Sequence, residues 1–104
     1  MINWKNMDTL ASYQDLAKVA PVQLAAVMAG ENGAERVKNY TVPMGAGLDF
    51  NFGARPVDAA ILEKLAAFAK EQQLTEKFAA LYNGEVINTG EKRLVLHHMC
   101  RGQL

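Results

Sequence analysis

Between Tyr40 and Phe52 the apolar residues alternate. Tyr40, Val42 and Met44 come first, then Leu48, Phe50 and Phe52, with Gly45-Ala46-Gly47 between the two sets. A period of two describes strands that carry their apolar side chains on one face. The glycine-flanked link makes the pair a β-hairpin, and Pro43, which has no amide hydrogen to donate, confines its strand to an edge. A hairpin alone is marginal in water, so this one is expected to bury its apolar face against a helix.

On both sides of the hairpin the period is helical. Asp8 can cap a helix running through Ala20, with Leu10, Tyr13, Leu16, Ala17 and Ala20 along one side. Pro21 suits the first turn of a second helix, which carries Leu24, Val27 and Met28 and stops at Gly30. A short turn of helix is expected near residues 34–38. Arg55-Pro56 is expected to open the longest helix, through about Gln73, with Val57, Ile61, Leu65 and Phe68 as its stripe, widened by Leu62 and Ala69. Thr75 opens a further helix carrying Phe78, Leu81 and Tyr82, ended by Asn83-Gly84. The expected fold is mostly α, of the α+β class: a small helical domain of about five helices with one β-hairpin near residues 40–52, over residues 1–104.

Composition narrows the partners. Half of the 104 residues are hydrophobic, but only 8% are aromatic and Ala supplies 16. Helices of this kind pack closely around little large-residue core and leave apolar faces outside. The formal charge is zero and no basic run exceeds two residues, so neither nucleic acid nor an anionic membrane is an expected partner. The one cysteine, Cys100, excludes an intrachain disulfide and suits a reducing compartment. The opening MINWKNMDTL has no signal-peptide or transit pattern. The expected location is cytoplasmic.

The most specific order of residues is at 83–104, NGEVINTGEKRLVLHHMCRGQL. Asn88 and Glu91 stand at the spacing of a capping box, able to satisfy each other's free amides at a helix start. Leu94, Val95, Leu96, Met99 and Cys100 follow at three- and four-residue spacing. The run RLVLHH is also short enough to be a strand.

Several residues carry chemistry by type. His97, His98 and Cys100 are three metal donors within four residues, one short of a closed zinc shell, so a packed histidine pair is the plainer reading. Gly45-Ala46-Gly47 lacks the third glycine and the following helix of a dinucleotide loop, and no Gly-Lys-Ser/Thr follows for a P-loop; a hairpin turn accounts for it. Glu85, Glu91, Arg93 and Arg101 form a charged set. Glu91 and Arg101 suit the two ends of a helix dipole, and Arg93 and His97, four apart, could hold an anion on one helix face. Cys100 at helical spacing from Leu96 reads as core more than as a nucleophile.

Gly84-Glu85-x-Ile87-Asn88, then Glu91-x-Arg93-x-Val95-Leu96-His97 and Arg101, resemble the N-terminal part of the glucose-6-phosphate isomerase family, whose pattern is G-E-x-I-N-x-T-E-x-R-x-V-L-H-x-A-L-R. Gly90 stands where Thr is commoner, and Met99-Cys100 replace Ala-Leu. Leu48-Asp49-Phe50 also resembles the family, whereas Asn51-Phe52-Gly53 departs from it. The order of elements is similar too: two helices, a turn at Gly33 to Arg36, a hairpin and two more helices.

The resemblance implies a helix from Asn88. It also implies an enzyme that interconverts glucose 6-phosphate and fructose 6-phosphate through an enediol, with a glutamate as base and no cofactor or metal. In the family the catalytic groups come from domains that follow this segment, and no residue here matches them. No catalytic, cofactor-binding or metal-binding residue is therefore assigned. The expected role is scaffold: an N-terminal domain or fragment of such an isomerase, expected to be inactive alone. Its expected partner is the remainder of the isomerase or a second copy of the chain, and sugar phosphate binds only in the complete enzyme. The abrupt end after a specific motif fits that reading. The alternative is a free-standing helical module for interaction or self-association.

Overall fold

The computed structural model describes residues 1–100. In chain order the elements are a 3-10 turn at Met7–Thr9, α1 (Ala11–Ala17), α2 (Leu24–Ala29), α3 (Gly33–Asn39), β1 (Thr41–Gly45), β2 (Leu48–Asn51), α4 (Ala59–Glu71), α5 (Leu74–Tyr82), β3 (Val86–Asn88), β4 (Arg93–Leu94) and a 3-10 turn at His97–Cys100. The α+β class is as expected, with five α-helices among the described residues. The chain forms two compact units, residues 19–62 and residues 1–18 with 63 onward.

In the unit of residues 19–62, α2 begins at Leu24, so Pro21 lies outside it, and the helix stops at Gly30 as expected. The α2–α3 corner is tight: a Cβ on Gly33 would lie 2.1 Å from the Met28 carbonyl oxygen, so only glycine fits. Gly33 to Arg36 is the first turn of α3, not a separate turn. The expected hairpin is present. β1 and β2 are antiparallel, pairing Val42 with Phe50 and Thr41 with Asn51, and the register shifts between Pro43 and Gly45. Its turn needs three successive left-handed residues, Gly45, Ala46 and Gly47, at φ +94°, +52° and +76°. This is the conformation that glycine adopts without steric cost.

The hairpin does not bury its apolar face. The hydrogen bonds that reach α3 come from the polar face: the Thr41 hydroxyl and the Asn51 amide both donate to the Val37 carbonyl, at 3.0 and 2.6 Å. A strand puts alternate residues on opposite faces, so bonding α3 through Thr41 and Asn51 turns Val42, Met44, Leu48 and Phe50 to solvent.

The helix expected from Arg55-Pro56 starts three residues later. Arg36 takes the carbonyls of Gly53, Arg55 and Val57, at 2.9, 2.8 and 2.7 Å, which holds this stretch extended. Asp58 then caps α4 by accepting the Ile61 amide at 2.8 Å.

In the other unit α1 starts at Ala11, and Asp8 sits in the preceding 3-10 turn instead of capping. Leu10 and Ala80 are the buried apolar residues here, and Tyr13 meets Phe68 at 6.0 Å between ring centroids. Gln73, left-handed at φ +55°, joins α4 to α5. Its side chain binds the N-terminal strand of chain, accepting the Asn3 amide and donating to the Met1 carbonyl. α5 ends as read from the sequence. Gly84 is left-handed, its amide donates to Leu81 and the Glu85 amide donates to Ala80, the two bonds of a Schellman motif.

The helix expected from Asn88 is absent. β3 and β4 pair antiparallel, Val86 with Leu94 and Asn88 with Arg93. The anticipated Asn88–Glu91 bonds do form: the Glu91 amide donates to Asn88 Oδ1 at 3.2 Å, and Asn88 Nδ2 donates to Glu91 Oε2 at 3.3 Å. They close a turn. Lys92, left-handed at φ +55°, reverses the chain where a helix would have continued. The matching position of Arg101 lies outside the described residues.

The accessible surface is 8215 Å². A folded monomer of 11.4 kDa exposes about 5,800 Å², and two separate bodies of these units' sizes about 6,900 Å². Among the described residues Leu10, Ile61 and Ala80 are the buried hydrophobics. The exposed apolar surface expected from the Ala-rich composition is therefore present.

Candidate functional site

Chemistry on this chain has two places to be sought: a cleft between α2 and α3, and the C-terminal segment that carries the motif.

The cleft has a volume of about 560 Å³ and is lined by Ala26, Val27, Gly30, Glu31, Asn32, Glu35, Arg36, Asn39 and Tyr40. Its cation is Arg36. Helical spacing puts Arg36 and Tyr40 one turn apart, and the guanidinium carbon lies 4.6 Å from the Tyr40 ring centroid. The same guanidinium donates to three backbone carbonyls, those of Gly53, Arg55 and Val57. It is a clamp on the chain after the hairpin, with its planar fork committed to carbonyl oxygens. The carboxylates of Glu31 and Glu35 stand exposed in the same lining. Two carboxylates beside an engaged arginine repel a phosphate dianion, so the cleft is no cradle for a sugar phosphate.

In the C-terminal segment the sequence candidates part company. His97 and Cys100 are exposed, and His98 is half-buried against α5. The His98 ring stacks on Tyr82 with centroids 5.2 Å apart. Its Nε2 lies 3.2 Å from the Tyr82 carbonyl, which can only accept, so Nε2 carries the hydrogen and Nδ1 is the acceptor. That Nδ1 is buried and has no partner among the described residues. No group of three His, Cys, Asp or Glu among the described residues is placed to hold a metal ion. Cys100, read as core, is exposed.

Arg93 is on β4 and His97 in the 3-10 turn, so the shared helix face proposed for an anion does not exist. Glu91 is spent on Asn88. Glu85 contributes its amide to the end of α5. Gly45-Ala46-Gly47 is the hairpin turn, with open space where side chains at both glycines would lie. Sequence reasoning missed the role of Arg36; its signal was the i, i+4 pair with Tyr40 ahead of a proline-broken stretch at 53–57.

The described residues thus assemble bracing, with no base, proton donor and anion cradle in one pocket. Comparison with known proteins gives the context. The family model for phosphoglucose isomerase matches residues 51–104, just over half of the chain. The chain belongs to the phosphoglucose isomerase family.

Relatives extend the likeness to the whole chain. It is 46% identical over 108 residues to glucose-6-phosphate isomerase of Treponema denticola, covering 99% of this chain and 21% of that one. The corresponding enzyme of Treponema pallidum (strain Nichols) is 46% identical over 100 residues, covering 96% and 19%. That of Borreliella burgdorferi (strain ZS7) is 31% identical over 105 residues, covering 100% and 19%. This phosphoglucose isomerase family chain therefore spans about a fifth of the length of the curated relatives it matches. No solved structure matches it. Among the described residues no helix is long and apolar enough to cross a membrane.

Proposed function

We propose that the chain is the scaffold portion of a glucose-6-phosphate isomerase. The complete enzyme interconverts glucose 6-phosphate and fructose 6-phosphate in glycolysis and gluconeogenesis, in the cytoplasm and as an oligomer. The catalytic groups lie on the other four-fifths of an enzyme of the relatives' length. One observation carries this reading: a chain that matches isomerases from end to end spends its arginine clamp, its capping carboxylates and its stacked histidine on its own backbone.

The test is isomerase activity on fructose 6-phosphate, measured for the 104-residue chain and for a chimera in which it replaces the matching stretch of the T. denticola enzyme. Activity confined to the chimera is the expected result. Turnover by the 104 residues alone would overturn the scaffold role, and an inactive chimera would overturn the assignment to that enzyme.

A further inference from the structure

The apolar face of the β1–β2 hairpin has no partner within its own unit, and its geometry is that of an anchor. Val42, Met44, Leu48 and Phe50 are 45%, 62%, 62% and 48% exposed, on one face of a two-stranded sheet. The face is also braced from behind. Arg36 covers the Tyr40 ring at 4.6 Å, Tyr40 stacks on Phe52 at 4.8 Å, and Phe52 lies 6.1 Å from Phe50. That ladder begins at a guanidinium fixed by three carbonyls, so Phe50 is held in place before anything binds it. A rigid aromatic at the centre of an apolar patch is the usual anchor of an interface, because little side-chain entropy is lost on docking.

We propose that this hairpin face docks on the body of the isomerase, the polypeptide that the relatives carry beyond the stretch matched here. The inference rests on the scaffold reading above and adds the surface. Two further observations select this occupant. The chain amounts to about a fifth of each relative, so most of the polypeptide it folds with lies outside it. The surface of 8215 Å² exceeds the about 6,900 Å² of two closed bodies by an amount near the 1,200–2,000 Å² that a stable interface buries. The reverse face, with Thr41, Asp49 and Asn51, is polar and engaged with α3 through Val37, so the apolar face is the one left to dock.

The experiment compares backbone hydrogen exchange at residues 41–51 in the isolated 104-residue chain and in the T. denticola chimera. Protection at Val42 and Phe50 at least tenfold higher in the chimera is expected. Equal exchange in an active chimera would overturn the docking surface and leave the scaffold reading standing, whereas an inactive chimera would tell against the scaffold reading itself. In the chimera Phe50→Ser and Leu48→Ser are expected to lower recovered activity at least tenfold, and Asp49→Ser on the reverse face less than twofold. If the isolated chain instead dimerises in sedimentation and Phe50→Ser abolishes the dimer, the occupant is a second copy and the proposal fails.

Discussion

Glu71, at the last turn of α4, accepts the backbone amide of Ser12 at 2.9 Å and so closes the open start of α1. Leu10 occupies the N-cap position of α1 and provides no side-chain cap, so the orphan amides take an oxygen from a residue far along the chain. The Ser12 hydroxyl, then the Ser12 and Ala11 amides with the charge of Lys5, hold the Glu71 carboxyl below its ordinary 4.5, against a smaller opposing effect of desolvation. A carboxyl lowered in the folded state stabilises it above the unfolded value, and that contribution is lost as pH falls through the folded one. Exchange protection of the Ser12 amide is therefore expected to stay level from pH 7 down to about 4.5 and to fall below it. Glu71→Gln should remove the pH dependence; an unchanged profile in that variant would place the titrating group elsewhere.

Arg36 gives a larger effect. Its guanidinium reaches three carbonyls and a ring at once, which a lysine ammonium cannot do. Arg36→Ala is expected to cost about 2–3 kcal/mol, and Arg36→Lys most of that, since hydrogen bonds to charged groups contribute about 1.5–3 kcal/mol. Urea unfolding monitored by exchange at the Phe52 amide, which bonds the Tyr40 carbonyl at 2.9 Å, would register the loss. A lysine variant as stable as the parent would show that the fork geometry is dispensable.

The elements that local chemistry decides were legible in the sequence. Gly30 and Gly84 stop their helices, Gly45-Ala46-Gly47 turns the hairpin, and the Asn88–Glu91 pair bonds as its spacing suggests. What the spacing did not decide was the structure in which that pair would be used. An Asx-type bond closes a helix start or a reverse turn alike, and left-handed Lys92 selects the turn. Two other readings failed because a distant residue intervened. Asp8 was displaced as a cap by Glu71, and α4 was delayed to Ala59 by the reach of Arg36 from another helix. The hairpin inverted for a related reason: period two shows that one face is apolar but not that this face turns inward. At the candidate sites, the pairing of Arg93 with His97 depended on a helix that does not form.

Gly33 tests the α2–α3 corner. A methyl group there would stand 2.1 Å from the Met28 carbonyl oxygen, so the two helices must separate to admit it. Gly33→Ala is expected to destabilise by about 1–3 kcal/mol, the range for forced overpacking. Gly30→Ala is the control, because its Cβ would meet only the Ala26 carbonyl, at an ordinary 3.4 Å. Thermal unfolding of both variants would check the contrast, and equal midpoints would mean that the corner can relax.

The β3–β4 turn offers two substitutions of opposite sign. Asn88→Ala removes the acceptor of the Glu91 amide and the donor to the Glu91 carboxylate, at an expected cost of about 1 kcal/mol by analogy with a lost cap. Lys92→Gly relieves a left-handed residue that carries a Cβ, an expected gain of about 0.5–1 kcal/mol where the strain outweighs the added unfolded-state entropy. Exchange at the Glu91 and Leu94 amides reads both, faster in the first variant and slower in the second. If Asn88→Ala slowed exchange while helical circular dichroism rose, the segment would have gone over to the helix that the family motif implies, and the hairpin would be held chiefly by this one side chain.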